Sequence, residues 1–486
     1  MDPRGDHRVV DYTDLDIFLV SDWMRKLSER SPQEFSVAFG VPGISAFWSS
    51  QNLEHPRYSF LRDKKRALPN CIPIVLHGDG VSFQDHDNLM VISFCGLLRQ
   101  GCTLDNCFLL SAFPKSCSTK ATHECIWKWL VWDLQAVRRN KYPNVDPFGN
   151  EFPSDSLAAR LAGTKIMPDN LWAYTFGVMG DNDFFQVELG LPHQGNMPPK
   201  PACHRCQGVK IIGNRNWFNF SEGSPWRRDT PRSPPSEHCI NSIDGFSGWS
   251  YLLDWMHTVD LGVAPHAIGN VMYDVVYNKL GHESKSKACA LLLGKMHEVP
   301  STHGKRLERL SENDFTTHKR HLKQYPCLTH VKGAEVRNSI PGMLHVARHY
   351  NDGSDWSMHQ VEMMQGLNDM YKVIHDASIV LTADEFSQLK KSSDLFLKHY
   401  TWLANKAAAD ERCMWSVVPK FHYLVHLIED AAIVNPRFTW CYGGEDMVGR
   451  IARLCHMCLF GTPVQKLTLT SSQRYRVAMH VRFTRM

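Results

Sequence analysis

The stretch IPIVLHGDG, residues 72–80, runs an apolar segment straight into Gly78-Asp79-Gly80. A short apolar run bounded by glycines reads as a buried strand. It delivers one carboxylate to the strand's end, between two residues that let backbone or ligand come close. Two further apolar runs follow, residues 89–94 (LMVISF) and 107–110 (CFLL), set apart by polar breaks. Three strands joined by short turns are the simplest account. THECIWKWLVWDLQAVRRN (122–140) then repeats Ile126, Trp129, Leu130 and Val137 at helical spacing and closes on Arg138 and Arg139, charges suited to a helix carboxyl terminus. Past a loop marked by Pro143, Pro147, Gly149 and Pro153, NLWAYTFGVMGDND (170–183) reads as a fourth strand ending in Asp181 and Asp183. A crossover through a helix sets the fourth strand parallel to the first, so Asp79 and the Asp181/Asp183 pair share one edge of a sheet. Carboxylates gathered there repel one another unless a cation sits between them, and hard divalent cations prefer oxygen ligands, so a Mg²⁺ (or Mn²⁺) site is expected. The plainer alternative is that Asp79 caps a turn.

Length and composition bound these readings. At 486 residues the chain exceeds the size at which one core stops growing, which implies two domains or one large interrupted domain. The 54 basic residues nearly balance the 50 acidic ones, so any nucleic-acid surface must be local. MDPRGDHRVVDYTDLDIF at the amino end is charged where a signal peptide is apolar, and no segment approaches about 18 apolar residues in a row, so a soluble, intracellular protein with no membrane partner is expected. Fifteen cysteines without a secretory signal point to reduced thiols and a metal site rather than a disulfide framework.

The second half changes character. Residues 195–249 are rich in loop, Pro, Cys and Trp; Cys203 and Cys206 form a C-x-x-C, half of a zinc site, with His193, His204, His238, Cys239 and His257 as completing candidates. Trp217, Trp226 and Trp249, interleaved with Arg215, Arg227 and Arg228, are candidates to stack on unpaired bases, packing being the alternative. Residues 250–430 read as mainly α-helical. Asp254 and His257 share a helix face, Thr382 and Glu385 form a capping box, and the Met and aromatic stripes (Val361, Met364, Tyr371, Ile374; Phe386, Leu389, Phe396, Tyr400) are core positions. The basic runs HGKRLERL (303–310) and THKRHLKQ (317–324) read first as solvated faces. In FTWCYGGEDMVGRIARLCHMCLF (438–460), Glu445 follows two glycines and opens a late helix.

The order of these features resembles the ribonuclease-H-like DDE transposase core, and more narrowly the CACTA (En/Spm) superfamily of cut-and-paste transposases. It rests on LHGDG for Asp79, MGDNDFF with Cys203 and Cys206 following for the second aspartate, Asp254-Trp-Met-His257 for the family's aspartate-x-x-histidine signature, and CYGGEDMVGRI, with PKFHYLVHL upstream, for Glu445. It covers roughly residues 70–460. The resemblance implies an α/β fold, a ribonuclease-H-like mixed sheet flanked by helices and interrupted by a large mainly α-helical insertion. Its parts would be a helical or irregular segment 1–69, a first core part 70–194, the loop region 195–249, the insertion 250–430, and the end of the core with the glutamate helix, 431–486. It further implies catalysis by Asp79, Asp181 or Asp183, and Glu445, with Asp79, Asp183 and Glu445 as the metal ligands first in view and Asp181 an open alternative. Two Mg²⁺ ions would activate water or a 3′-hydroxyl and stabilise the leaving oxygen in hydrolysis and strand transfer. Asp254 and His257 would position DNA or the insertion, the partners would be transposon ends and target DNA, and residence would be nuclear, with a homo-oligomer for paired-end cutting. No recognisable DNA-binding domain precedes residue 70, where such families carry one, which leaves a truncated or domesticated copy as an alternative: an inactive DNA-binding or nuclear scaffold protein. A third reading is an unrelated scaffold built on Cys203, Cys206 and zinc.

Overall fold

β1 (Cys71–Gln84) is an inner strand of a four-stranded mixed sheet in a computed structural model that describes residues 15–84, 87–192, 203–206, 208, 217–228, 236–281, 284–301, 304–315 and 325–484. It pairs antiparallel with β2 (Asp87–Gly96), which pairs antiparallel with β3 (Cys107–Pro114). On its other side β1 pairs parallel with β4 (Trp172–Gly180), giving the order β3-β2-β1-β4. The expected parallel relation of first and fourth strands is therefore present.

β1 does not end at Asp79, as the apolar run implied. The β4 pairing stops at Gly78↔Gly180, while the antiparallel arm continues through Asp79↔Val91 to Gln84↔Asp87. Burial becomes mixed along that arm because it projects beyond the core. Asp79 thus stands where β1 loses one neighbour.

The crossover is α4 (Lys120–Arg139), whose Thr119–Thr122 capping box satisfies amino-terminal donors and whose end is turned by Asn140 at φ 49°. It buries Ile126, Trp127, Leu130, Leu134 and Val137. α1 (Val20–Arg30), α2 (Pro32–Phe39) and α3 (Ile44–Ser49) precede the sheet and add Val20, Met24, Phe39 and Trp48 to the same core, so the described part of 1–69 belongs to the sheet unit. The short α5 (Leu157–Leu161) lies before β4, and a single parallel bridge, Val178↔Tyr251, extends β4's outer side.

A second core is all helical: α6 (Ala264–Asp274), α7 (Lys285–His297), α8 (Gly333–His349), α9 (Asp355–Asp376), α10 (Ala383–Ala409) and α11 (Pro419–Asp430). Met364, Tyr371, Ile374, Leu389, Phe396 and Tyr400 are buried in it, and Thr382 and Glu385 exchange their capping hydrogen bonds at 2.8 and 3.2 Å. Cys203, Cys206 and Trp226 also pack here, so this unit draws in part of the loop region that the sequence set apart. The chain then returns to the first core through α12 (Tyr442–Cys458) and α13 (Val464–Thr484). The fold is α/β, a mixed sheet flanked by helices and interrupted by a helical unit. No described helix is long and apolar enough to cross a membrane. The basic run 317–324 lies outside the described residues.

Asp133, inside α4, accepts a hydrogen bond from the Ser21 backbone N–H at 3.1 Å and so caps α1 through tertiary structure. Burial pushes its pKa up to about 7. A raised carboxylate pKa means that the unfolded chain ionises first as pH rises, so stability falls from about pH 4 to about pH 7 and is level beyond. Asp133→Asn keeps an acceptor without the charge. Its melting temperature relative to wild type is therefore expected to improve between pH 5 and pH 8; an unchanged difference across that range, measured by thermal unfolding, contradicts this.

Candidate carboxylate and cysteine–histidine sites

Gly78, beside Asp79, has a packing role. Gly78 and Gly180 are register partners, and a Cβ on either would lie 2.0 or 2.4 Å from the ring of Phe184. Their bare backbones seat that ring over the sheet edge, and Phe184 opens a π-helical turn (Phe184–Glu188) three residues after Asp181. The Asp181 carboxylate accepts the Phe184 N–H at 2.6 Å, which fixes it beside the end of β4. Gly78 thus serves Phe184 rather than a ligand.

Glu445 lies in the first turn of α12, which packs on β1. It lies close to Asp79, and burial followed by the charge of Asp79 raises the Glu445 pKa far above the ordinary carboxylate range. The Asp79 pKa is raised by burial and then by the charge of Asp181. Asp79 is therefore coupled to both Asp181 and Glu445, which are distant from it in sequence. Asp183 is exposed, at the start of the turn, so of the two aspartates after β4 it is Asp181 that faces the cluster.

Imidazoles border this cluster. His257 Nε2 and His77 Nε2 each lie 3.9 Å from Glu445 Oε1. His77 is 3% exposed, neither ring nitrogen has a hydrogen-bond partner among the described residues, and burial pushes its pKa down to about 4. Gly444 makes room for it: a Cβ there would come within 2.5 Å of the ring. Asp254 accepts from Met256 N (3.1 Å), His257 N (2.7 Å), His257 Nδ1 (2.7 Å) and Cys441 N (2.7 Å). It caps the π-helical segment Met256–Val263, orients His257, and holds the residue from which α12 starts. Burial opposes its charge, but these hydrogen bonds outweigh burial and keep its pKa low. From the helical unit, Lys420 donates to Leu261 O at 3.1 Å and lies close enough to feel the charges of Asp254 and Asp181.

The second site joins Cys203 and Cys206 to His422 and His426. One ligand atom from each lies within 4.8 Å of all the others, and all four residues are buried. Cys206 Sγ and His422 Nε2 are 3.2 Å apart. Despite burial, hydrogen bonding to Cys206 and the two imidazoles hold the Cys203 thiol well below its ordinary pKa, which makes a cluster ready to exchange protons for a metal ion. The completing ligands foreseen from sequence are not those that complete it. His204 is buried beside Phe185 and Tyr423, His238 packs on Trp127 and accepts from Ile240 N, Cys239 is half-buried and outside the cluster, His257 is engaged by Asp254, and His193 lies outside the described residues. The actual partners come from one face of α11, four residues apart, in the quoted stretch PKFHYLVHL. That spacing inside an apolar helix was the available signal. His77 and Lys420 carried no comparable signal.

Trp217 and Trp226 are 2% and 0% exposed and pack around His422, so they are not available to stack on bases; Arg227 bonds Glu429, Trp249 carries Arg205, and Arg215 lies outside the described residues. Comparisons of the chain with protein-family models, curated proteins and solved structures find no match.

Gly444→Ala is expected to drive a methyl into His77 and cost about 1–3 kcal/mol of stability in denaturant unfolding. His77→Ala in the same chain should recover much of that loss; strictly additive losses would mean that the two sites do not meet.

Proposed function

We propose that this protein is a cut-and-paste DNA transposase, or is derived from one, with a ribonuclease-H-like core in which Asp79, Asp181 and Glu445 hold Mg²⁺ or Mn²⁺. The observation that carries this reading is that Asp79 on β1 is coupled both to Asp181, just past β4, and to Glu445 on α12, where burial and neighbouring charge raise the pKa values of Asp79 and Glu445. The strand-strand-strand-helix-strand order, with β4 parallel to β1, supports the same core. The donor set fits the ions: oxygen ligands are their preference, and a divalent cation would offset the repulsion that raises the Asp79 and Glu445 pKa values. When bound, such ions lower the pKa of an attacking water or 3′-hydroxyl and stabilise the leaving oxygen of a phosphodiester.

The chain's own residues do the arranging. Asp79 is fixed by the pairing of β1 with β2, Asp181 by the Phe184 N–H just past β4, and Glu445 is set by a helix that Asp254 anchors at Cys441. His257 and His77 flank Glu445 and limit its rotation, and Lys420 brings a positive charge to the side of Asp181, where a DNA phosphate would lie. Asp254 is thus a positioning residue for the metal ligand, and a role of His257 toward the DNA end belongs to the same proposal. We assign zinc to Cys203, Cys206, His422 and His426. Two thiolates and two imidazoles leave no open position, so its role is structural, and it pins α11, which carries Lys420. Nuclear residence and assembly into a homo-oligomer accompany the transposase reading.

Nicking of supercoiled DNA in the presence of Mn²⁺ tests the reading. Asp79→Asn, Asp181→Asn and Glu445→Gln should each lower it at least about a hundredfold while leaving the melting temperature equal or higher, since a repelling charge is removed. Asp183→Asn should retain it. A wild-type chain that binds DNA but never nicks it would instead be a transposase-derived DNA-binding protein. Elemental analysis should find one zinc per chain, and His426→Ala should lose both the zinc and cooperative unfolding; a stable, metal-free wild type excludes the zinc assignment.

A further inference from the structure

At the end of the sheet away from the carboxylates, an open groove of about 840 Å³ lies between the residues that lead into β1, the carboxyl end of α4, and the start of β4. Lys64, Lys65, Arg66, Arg138, Arg139 and Lys165 line it, against the single carboxylate of Asp63. This is a local excess of five positive charges, whereas the whole chain has a formal net charge of only +4. The nearest compensation is partial. Asp244 pairs with Arg138, and Glu54 reaches Lys65 at 4.0 Å.

The fold holds these cations together rather than letting them spread. Lys64 and Arg138 stand over the same ring, Phe60, at 4.9 and 5.3 Å, and α4 presents Arg138 and Arg139 side by side. Burial is the main reason the Arg138 pKa is lowered despite its ion pair with Asp244, and the charge of Arg139 crowded beside it adds to this. Such crowding costs free energy in the unbound protein and is relieved by a polyanion.

We infer that this groove binds the phosphate backbone of double-stranded DNA, as an anchoring site separate from the carboxylate cluster. The inference deepens the DNA reading and rests on it for the choice of partner. Forked guanidiniums beside lysines suit phosphate oxygens, and such contacts position a duplex without reading its sequence. An anionic membrane is disfavoured because the lining is concave and contains none of the exposed large apolar side chains that interfacial binding uses. Asp79 lies eight positions along β1 from Cys71, which is paired with Trp172 at the groove. At about 3.3 Å per residue the two sites are roughly 25 Å apart, too far for one phosphate to serve both.

The experiment is fluorescence anisotropy of a labelled short duplex of arbitrary sequence with the full-length chain, in EDTA, over a series of salt concentrations. The groove variant Lys65→Glu/Arg66→Glu/Arg139→Glu changes exposed side chains only. The control Lys372→Glu/Lys391→Glu/Lys398→Glu makes the same charge change on exposed positions of α9 and α10. The groove variant should lose about tenfold or more in affinity, with the slope of log affinity against log salt reduced by about three, and the control should stay close to wild type. Equal losses in both variants, no duplex binding by wild type, or binding of phosphatidylserine vesicles in place of duplex would each overturn the inference. Since EDTA removes divalent ions, the result is independent of cleavage. An Asp79→Asn chain that no longer nicks but binds duplex like wild type separates failure of one site from failure of the other.

Discussion

Asp79 is partly removed from water between the like charges of Asp181 and Glu445, and the first core has to hold it there against their repulsion. Asp79 lies on β1 and Asp181 just past β4, strands that part company at Gly78↔Gly180, and Glu445 is brought to Asp79 by a helix that begins some 260 residues later in the chain. Without a counter-charge, the raised pKa of Glu445 eases the repulsion, since it favours the neutral acid. A site that tolerates this must be fixed by something stronger than the repulsion. The backbone hydrogen bonds of the sheet supply that on one side, and Asp254 supplies it on the other.

Asp254 is the hinge between the two cores. It is buried, it closes the entry to the helical unit by capping its first turns, and it holds the start of α12 through Cys441. Asp260, six residues on, accepts from the hydroxyls of Tyr442 and Tyr371, and Arg337 lies over Tyr442 at 4.7 Å. The position of Glu445 is therefore set jointly by the sheet and by the helical unit. The cysteine–histidine cluster works in the same direction, because α11 carries both its histidines and Lys420.

Much of the fold was legible locally. The strands at 89–94 and 107–110 and the helix at 122–140 lie where apolar runs and helical spacing place them, since burial of one face leaves a periodic record in sequence. The Thr382–Glu385 cap was equally plain, because both partners sit within one turn. The length of β1 was not, because its outer arm is held by β2 and not by its own hydrophobicity. The division of 195–249 from the helical unit also failed, because Cys203 and Cys206 are packed by α11, whose contact with them spans more than two hundred residues.

The sequence by itself determined which groups are present and the local elements that carry them: a glycine-flanked aspartate on a strand, aspartates after another strand, a glutamate opening a helix, a C-x-x-C, and two histidines one turn apart. Such features depend on neighbours within a few residues. Only the tertiary structure decided which groups meet. It chose Asp181 over Asp183, set His77 against Gly444, paired the cysteines with His422 and His426, and gathered six cations into one groove. Those choices depend on contacts between segments distant in the chain, on which local periodicity has nothing to say, and on burial, which turns ordinary charges into mutually coupled ones.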